Sequence, residues 1–173
     1  MGYTNTGSGW ISVKDGTSFL FTDSVVAAPT YGKDNSALLS TGYIDSTGNL
    51  VAAHDAATAH LGSPWRMPTD AEFSALISNC TTTWITTNGV SGRLVAGKGA
   101  YVNRSIFLPA AGYGSDSYLN NLNSSHNWVW SSTPTSGSSE EAWCLYFYSS
   151  NFRRNYNYRS FGQSVRPVRG FAK

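Results

Sequence analysis

The chain has 173 residues, which predicts a single domain over 1–173, large enough to bury a core without disulfide or metal staples. Charged residues make up 13% and aromatics 14%, excluding a disordered or collagenous chain, and a formal net charge of +2 gives no reason to expect a nucleic-acid partner. Two cysteines, Cys80 and Cys144, with no CxxC exclude a zinc ribbon or a disulfide miniprotein, and no apolar run approaches the roughly 20 residues of a membrane-spanning helix.

Residues 1–45 read as N-terminal strands or an arm. Met1 to Thr6 offer neither a basic end nor an apolar block, so no signal peptide is visible. Short strands are predicted at Gly9-Trp10-Ile11-Ser12-Val13 and Phe19-Leu20-Phe21, around a turn at Lys14-Asp15-Gly16. Leu50, Ala53, Ala57 and Leu61 recur at helical spacing, which predicts a first helix ended by Gly62. A second helix is predicted from Thr69-Asp70-Ala71-Glu72, a capping box followed by an apolar face of Phe73, Leu76 and Ile77, with Asn79 as terminator. From Cys80 onward the pattern turns to strands. Asn88-Gly89 signals a hairpin turn, Ser105-Ile106-Phe107-Leu108-Pro109 a short strand, and Asp116 to Asn127 a polar loop. Trp128-Val129-Trp130 and Trp143 to Tyr148 alternate with period two. In the second, Trp143, Leu145 and Phe147 form a predicted inward phase and Cys144, Tyr146 and Tyr148 an outward one.

Sites for chemistry are scarce. His54 and His60 are six apart, whereas a helical metal pair needs three or four, and neither HExxH, GxSxG, a P-loop nor GxGxxG occurs. Glu140 and Glu141 are adjacent, which points them apart. Asp116, Asn120, Asn121 and Asn123 could offer oxygens to calcium but lack the EF-hand spacing. Cys144 has arginines nearby in sequence but no histidine to activate it, so it reads as a small residue on a strand face. No catalytic residue, metal or cofactor is therefore expected.

The densest signal is the run Asn151-Phe152-Arg153-Arg154-Asn155-Tyr156-Asn157-Tyr158-Arg159-Ser160-Phe161, together with Tyr146 and Tyr148. It admits three readings. Rings interleaved with arginines can stack on single-stranded nucleic acid, which the low net charge weakens. They can be an ordinary solvated sheet face. They can also be a paratope-like surface, because Tyr, Ser, Asn and Arg combine rigid amphipathic rings with adaptable hydrogen bonding. The clustering favours the third.

Four blocks carry a family resemblance: Trp65-Arg66-Met67-Pro68-Thr69-Asp70-Ala71-Glu72-Phe73, Ser105-Ile106-Phe107-Leu108-Pro109-Ala110-Ala111-Gly112-Tyr113, Trp130-Ser131-Ser132-Thr133, and Gly162-Gln163-Ser164-Val165-Arg166-Pro167-Val168-Arg169. Their order over residues 50–170 resembles a bacterial C-type-lectin-fold family, the major paralogous domain (FISUMP), related to the formylglycine-generating enzymes. The pattern also resembles the variable proteins of diversity-generating retroelements, in which adenine-directed mutation randomises positions just before a closing block of this kind. The resemblance implies an α+β, C-type lectin fold, with two helices, short antiparallel sheets and long ordered loops, its frame held by Trp65, Trp128, Trp130, Trp143 and the helix at Thr69.

The implied function is non-catalytic: a display protein on a virion tail or bacterial surface. It would bind a protein or cell-surface ligand through a variable segment at 144–161, with a strand face whose register its other face fixes. The candidate ligand-binding residues are Val129, Cys144, Tyr146, Tyr148, Phe152, Arg153, Arg154, Asn155, Tyr156, Asn157, Tyr158, Ser160 and Phe161, with His126 as a possible addition. The alternative is an undiversified secreted bacterial domain that binds glycan or serves structure. An oxidase of the sulfatase-modifying class is a weaker third, since those enzymes use a cysteine pair near the C-terminus and only Cys144 lies in that half.

Overall fold

The computed structural model describes residues 3–5, 10–12, 18–19, 30–115, 118–120 and 125–170. Three short N-terminal strands, β1 (Tyr3–Asn5), β2 (Trp10–Ser12) and β3 (Ser18–Phe19), pair antiparallel in that order. The expected strands at Trp10 and Phe19 are thus present, while their turn at Lys14-Asp15-Gly16 lies outside the described residues.

Three helices follow, each started by an oxygen cap. Helix α1 (Asn35–Ser40), absent from the sequence reading, begins where the Asp34 side chain accepts from the Ala37 amide. Helix α2 (Ala56–Leu61) is half the length expected. Asp55 caps it through the Thr58 amide, while Leu50 donates its amide to Ser132 and bridges to Ile44, so the chain before Asp55 is committed elsewhere. Gly62 ends α2 at φ +73°, as predicted. After strand β4 (Trp65–Arg66), helix α3 (Asp70–Asn79) begins with the predicted capping box: the Glu72 amide donates to Thr69 Oγ1 at 3.2 Å, and the Thr69 amide donates to Glu72 Oε2 at 2.8 Å.

The remaining elements are strands apart from one 3-10 turn at Gly99–Tyr101. Strands β5 (Cys80–Thr87), β6 (Val90–Gly97) and β7 (Ser105–Pro109) form one antiparallel sheet. The β5–β6 turn has positive φ at both Asn88 and Gly89, the geometry that matches a hairpin's right-handed twist. Strands β8 (Tyr113–Ser115) and β9 (Tyr118–Asn120) form a small sheet with β13 (Gly162–Gln163), and β14 (Val168–Arg169) pairs with β4. The segment expected to be a loop from Asp116 therefore contains β9, and His126 already belongs to the next strand. The sheet that matters most consists of β10 (His126–Pro134), β11 (Glu141–Tyr148) and β12 (Asn151–Tyr158), with β11 in the middle.

This architecture corrects the expected α+β lectin-type fold with two helices. Strand predominates among the described residues, in several small antiparallel sheets, with three short helices. The physical reason is local: only Asp70–Asn79 is long enough to present a helical face, and the other two helices are six residues each.

Phe73 of α3, Val95, Leu108, Val129, Leu145 and Phe147 make the buried core, with Leu76, Ile77, Trp84 and Phe152 packed against it. Helix α3 thus lies over one face of the β10–β12 sheet. Of the tryptophans expected to hold the frame, Trp65 is 39% exposed, while Trp130 ties the turn after β12 by donating its indole N–H to the Phe161 carbonyl. Two arginines, buried Arg93 and half-buried Arg159, brace the sheet. Arg93, 7% exposed, donates to the carbonyls of Tyr148 (2.8 Å), Ser149 (3.0 Å) and Asn151 (3.2 Å), gripping the β11–β12 turn. At the other end Arg159 donates to the carbonyls of Glu141, Thr30 and Lys33, tying the segment before α1 to the hairpin.

Candidate aromatic binding surface

Register decides which side chains meet. In β11–β12, Tyr146 pairs with Arg153, Cys144 with Asn155 and Tyr148 with Asn151; in β10–β11, Trp128 pairs with Tyr146 and His126 with Tyr148. Directly paired residues share a face. The face away from α3 therefore carries His126, Trp128, Trp130, Cys144, Tyr146, Tyr148, Asn151, Arg153, Asn155 and Asn157. The face toward α3 carries Val129, Trp143, Leu145, Phe147, Phe152, Arg154, Tyr156 and Tyr158.

On the first face the rings form one continuous surface. His126 stacks near Tyr146 (5.9 Å) and Tyr148 (5.0 Å), and Trp128 lies 4.6 Å from Tyr146 and 4.6 Å from Tyr113. Phe161 extends it by stacking on Tyr113 at 5.5 Å. Arg153 is exposed and holds its guanidinium 5.6 Å from the Tyr146 ring centre, a cation–π contact. Burial, then the neighbouring Tyr148, push the Tyr146 phenol above its ordinary pKa, and Arg153 opposes them. The surface can thus offer ring faces, one cation, and amides from Asn151, Asn155 and Asn157. These groups suit stacking, hydrogen bonding and an acidic partner.

The second face is divided. Near α3 it is core. Beyond α3, Arg154 makes a bidentate ion pair with Asp70 in the helix's first turn and lies 4.5 Å over the Trp143 ring. Tyr156 (51% exposed) and Tyr158 (44% exposed) continue outward, Tyr156 edge-on to Trp143 at 5.7 Å. Tyr158 reaches Phe161 at 5.7 Å across the turn that ends β12.

The candidate residues therefore separate into groups. Tyr146, Tyr148, Arg153, Asn155 and Asn157 share the ring-bearing face with His126. Arg154, Tyr156 and Tyr158 lie on the opposite face, Phe152 packs against the core, and Ser160 and Phe161 sit in the closing turn. Two assignments are overturned. Val129 is 2% exposed, pairs with Leu145 and belongs to the core. Cys144 is 0% exposed and cannot touch a ligand, and burial, with Asp70 adding, pushes its thiol up to about 12. Arg159, within the candidate variable segment, is a structural brace. The sequence reading missed Trp128 and Tyr113 as ring-surface residues. The signal for Trp128 was its period-two spacing from His126. For Tyr113 there was none, since it arrives from another sheet. Of the possible calcium-ligating residues, Asp116, Asn121 and Asn123 lie outside the described residues.

A protein family described as a domain of unknown function (DUF8237) matches residues 97–168, a span that runs from the end of β6 to the start of β14 and includes the whole ring-bearing sheet. No curated protein and no solved structure matches the chain.

Proposed function

We propose that this protein is a non-catalytic recognition protein that binds a protein or cell-surface receptor through the ring-bearing face of the β10–β12 sheet. The observation that carries the reading is the unbroken ring surface of His126, Trp128, Tyr146 and Tyr148 with Arg153 stacked beside it. The four rings are half-buried and Arg153 is exposed, so each ring keeps part of its surface for a partner, and Tyr, Trp and Arg dominate interface energetics. The unreactive setting of Cys144 gives no support to an oxidase reading.

Diversification by a retroelement belongs to the same proposal. Leu145 and Phe147 hold the register from the core side, so Tyr146, Tyr148, Asn151, Arg153 and Asn155 can be exchanged without a register slip. Sequencing the locus in close relatives tests this part. The expected result is variation concentrated at those positions, with a reverse-transcriptase gene nearby; variation spread evenly over the core phase refutes it. For binding, labelled protein is titrated onto intact host cells. The Tyr146→Ala/Tyr148→Ala variant should lose about tenfold or more in affinity while its melting temperature moves by only a few degrees. Undiminished binding by that variant refutes the reading.

A further inference from the structure

The half-buried rings of His126, Trp128, Tyr146 and Tyr148 and the exposed Tyr156 and Tyr158 of β12 lie on opposite faces of one sheet, and β12 is an edge of that sheet. Strand β12 pairs only with β11 among the described residues. The direction of its free backbone groups follows from the neighbouring ladder. The Trp130 amide donates to the Ser164 carbonyl at 2.9 Å, and the Ser164 amide donates to the Trp128 carbonyl at 3.1 Å. Trp128 and Trp130 therefore turn their backbone groups away from β11, and Asn127 and Val129 bond to its Phe147 and Leu145. By alternation Cys144, Tyr146 and Tyr148 bond to Asn155, Arg153 and Asn151 of β12. Phe152, Arg154 and Tyr156 are left with N–H and C=O directed outward, with no backbone partner among the described residues.

Edge strands usually carry protection. Strand β12 has neither proline nor bulge along its eight residues, and its register with β11 is unbroken. Its two arginines do not lie across the edge. Arg154 is drawn onto the α3 side by Asp70 and Trp143, and Arg153 onto the other side by Tyr146. The edge is thus open among the described residues, with the exposed Tyr156 and Tyr158 on one flank and the half-buried Tyr146 and Tyr148 beside exposed Arg153 on the other. The other eight-residue edge, β5, is rich in threonine and its single ring, Trp84, packs against the core.

We propose that the receptor element is an extended polypeptide segment that binds as an added strand along β12. Its main chain would bond to Phe152, Arg154 and Tyr156, and its side chains would alternate between the face of Tyr146, Tyr148 and Arg153 and the face of Tyr156 and Tyr158. Arg153 has no acidic partner among the described residues, so the segment should carry an acidic side chain opposite it. A second copy of this chain paired antiparallel about Arg153 or Arg154 would set that arginine opposite itself, and it brings no acidic residue on β12 to face Arg153. The inference rests on the receptor-binding reading and specifies its mode.

The test uses linear peptides selected from a random library on the whole protein, then synthesised. Selected peptides should carry an acidic residue, and on binding they should slow amide exchange at Phe152, Arg154 and Tyr156. Tyr156→Pro, which removes one outward N–H at an edge position that tolerates proline, should weaken binding by about tenfold or more. The exchange measurement needs no variant, so it stands if Tyr156→Pro fails to fold. The proposal is overturned if no linear peptide is selected, if those three amides exchange as in the free protein, if protection falls on Cys80–Thr87 instead, or if the protein dimerises through β12. Peptide binding that survives Tyr156→Pro but not Tyr146→Ala overturns strand addition and leaves the ring surface standing. The reverse pattern removes the ring surface from the site.

Discussion

Arg93→Met removes the clamp that holds the binding hairpin while keeping most of the apolar stem. Arg93 makes four hydrogen bonds to three carbonyls of the β11–β12 turn, with lengths from 2.8 to 3.2 Å. Hydrogen bonds from a charged donor contribute roughly 1.5–3 kcal/mol each. Two effects reduce the sum. Ser149 is exposed, so its freed carbonyl can bond to water. Burial also costs the guanidinium, which has no carboxylate partner here; that cost lowers its pKa and is relieved in the variant. The net loss should be about 2–4 kcal/mol, which at a urea slope of about 2 kcal/mol/M moves the unfolding midpoint down by roughly 1–2 M. Amides of the 148–151 turn should exchange faster in the same variant, since the clamp acts on that turn directly. A midpoint within about 0.2 M of the original, an amount inside ordinary extrapolation error, would refute the assignment of Arg93 as the hairpin's anchor.

Two further outcomes follow from titratable groups. Cys144 should resist thiol reagents in the folded protein at pH 8, because its thiol is pushed up to about 12, while half-buried Cys80 reacts first and unfolding makes both react. Equal rates for the two in the folded state would show Cys144 to be accessible. Arg66 chiefly, with the Thr69 amide, holds the Glu72 carboxyl below its ordinary range against the opposing effect of burial. A depressed folded value means this contribution is present above the unfolded carboxylate range near about 4.3 and is lost as pH falls through the folded value. Glu72→Gln should therefore flatten the acid limb of the stability curve, by no more than about 1 kcal/mol since the pair is well exposed. An unchanged acid limb counts against the Arg66–Glu72 link.

Local rules in the sequence were sufficient for the local structure. The capping box at Thr69, the turn at Asn88-Gly89, the stop at Gly62 and the inward phase of Leu145 and Phe147 each depend on residues within a few positions. Parity within a strand was also legible: His126 and Val129 are an odd number of residues apart, so they could not share a face. What failed were inferences that needed distant partners. Leu50 left its helical pattern for a bond to Ser132, and Cys144, on the outward phase, is sealed between Trp130 and Asn155 on the neighbouring strands.

The sequence by itself determined that this chain would concentrate rings, arginines and asparagines in a period-two segment near its end, because alternation needs nothing but the strand's pleat. Only the tertiary structure decided how that segment is used. Pairing between strands far apart in the chain brings Trp128 beside Tyr146 and Tyr113 beside Trp128, and the Asp70 ion pair fixes the Arg154 guanidinium against α3. Leaving β12 as the last strand of its sheet is likewise a property of neighbours, and it sets one edge between two aromatic faces.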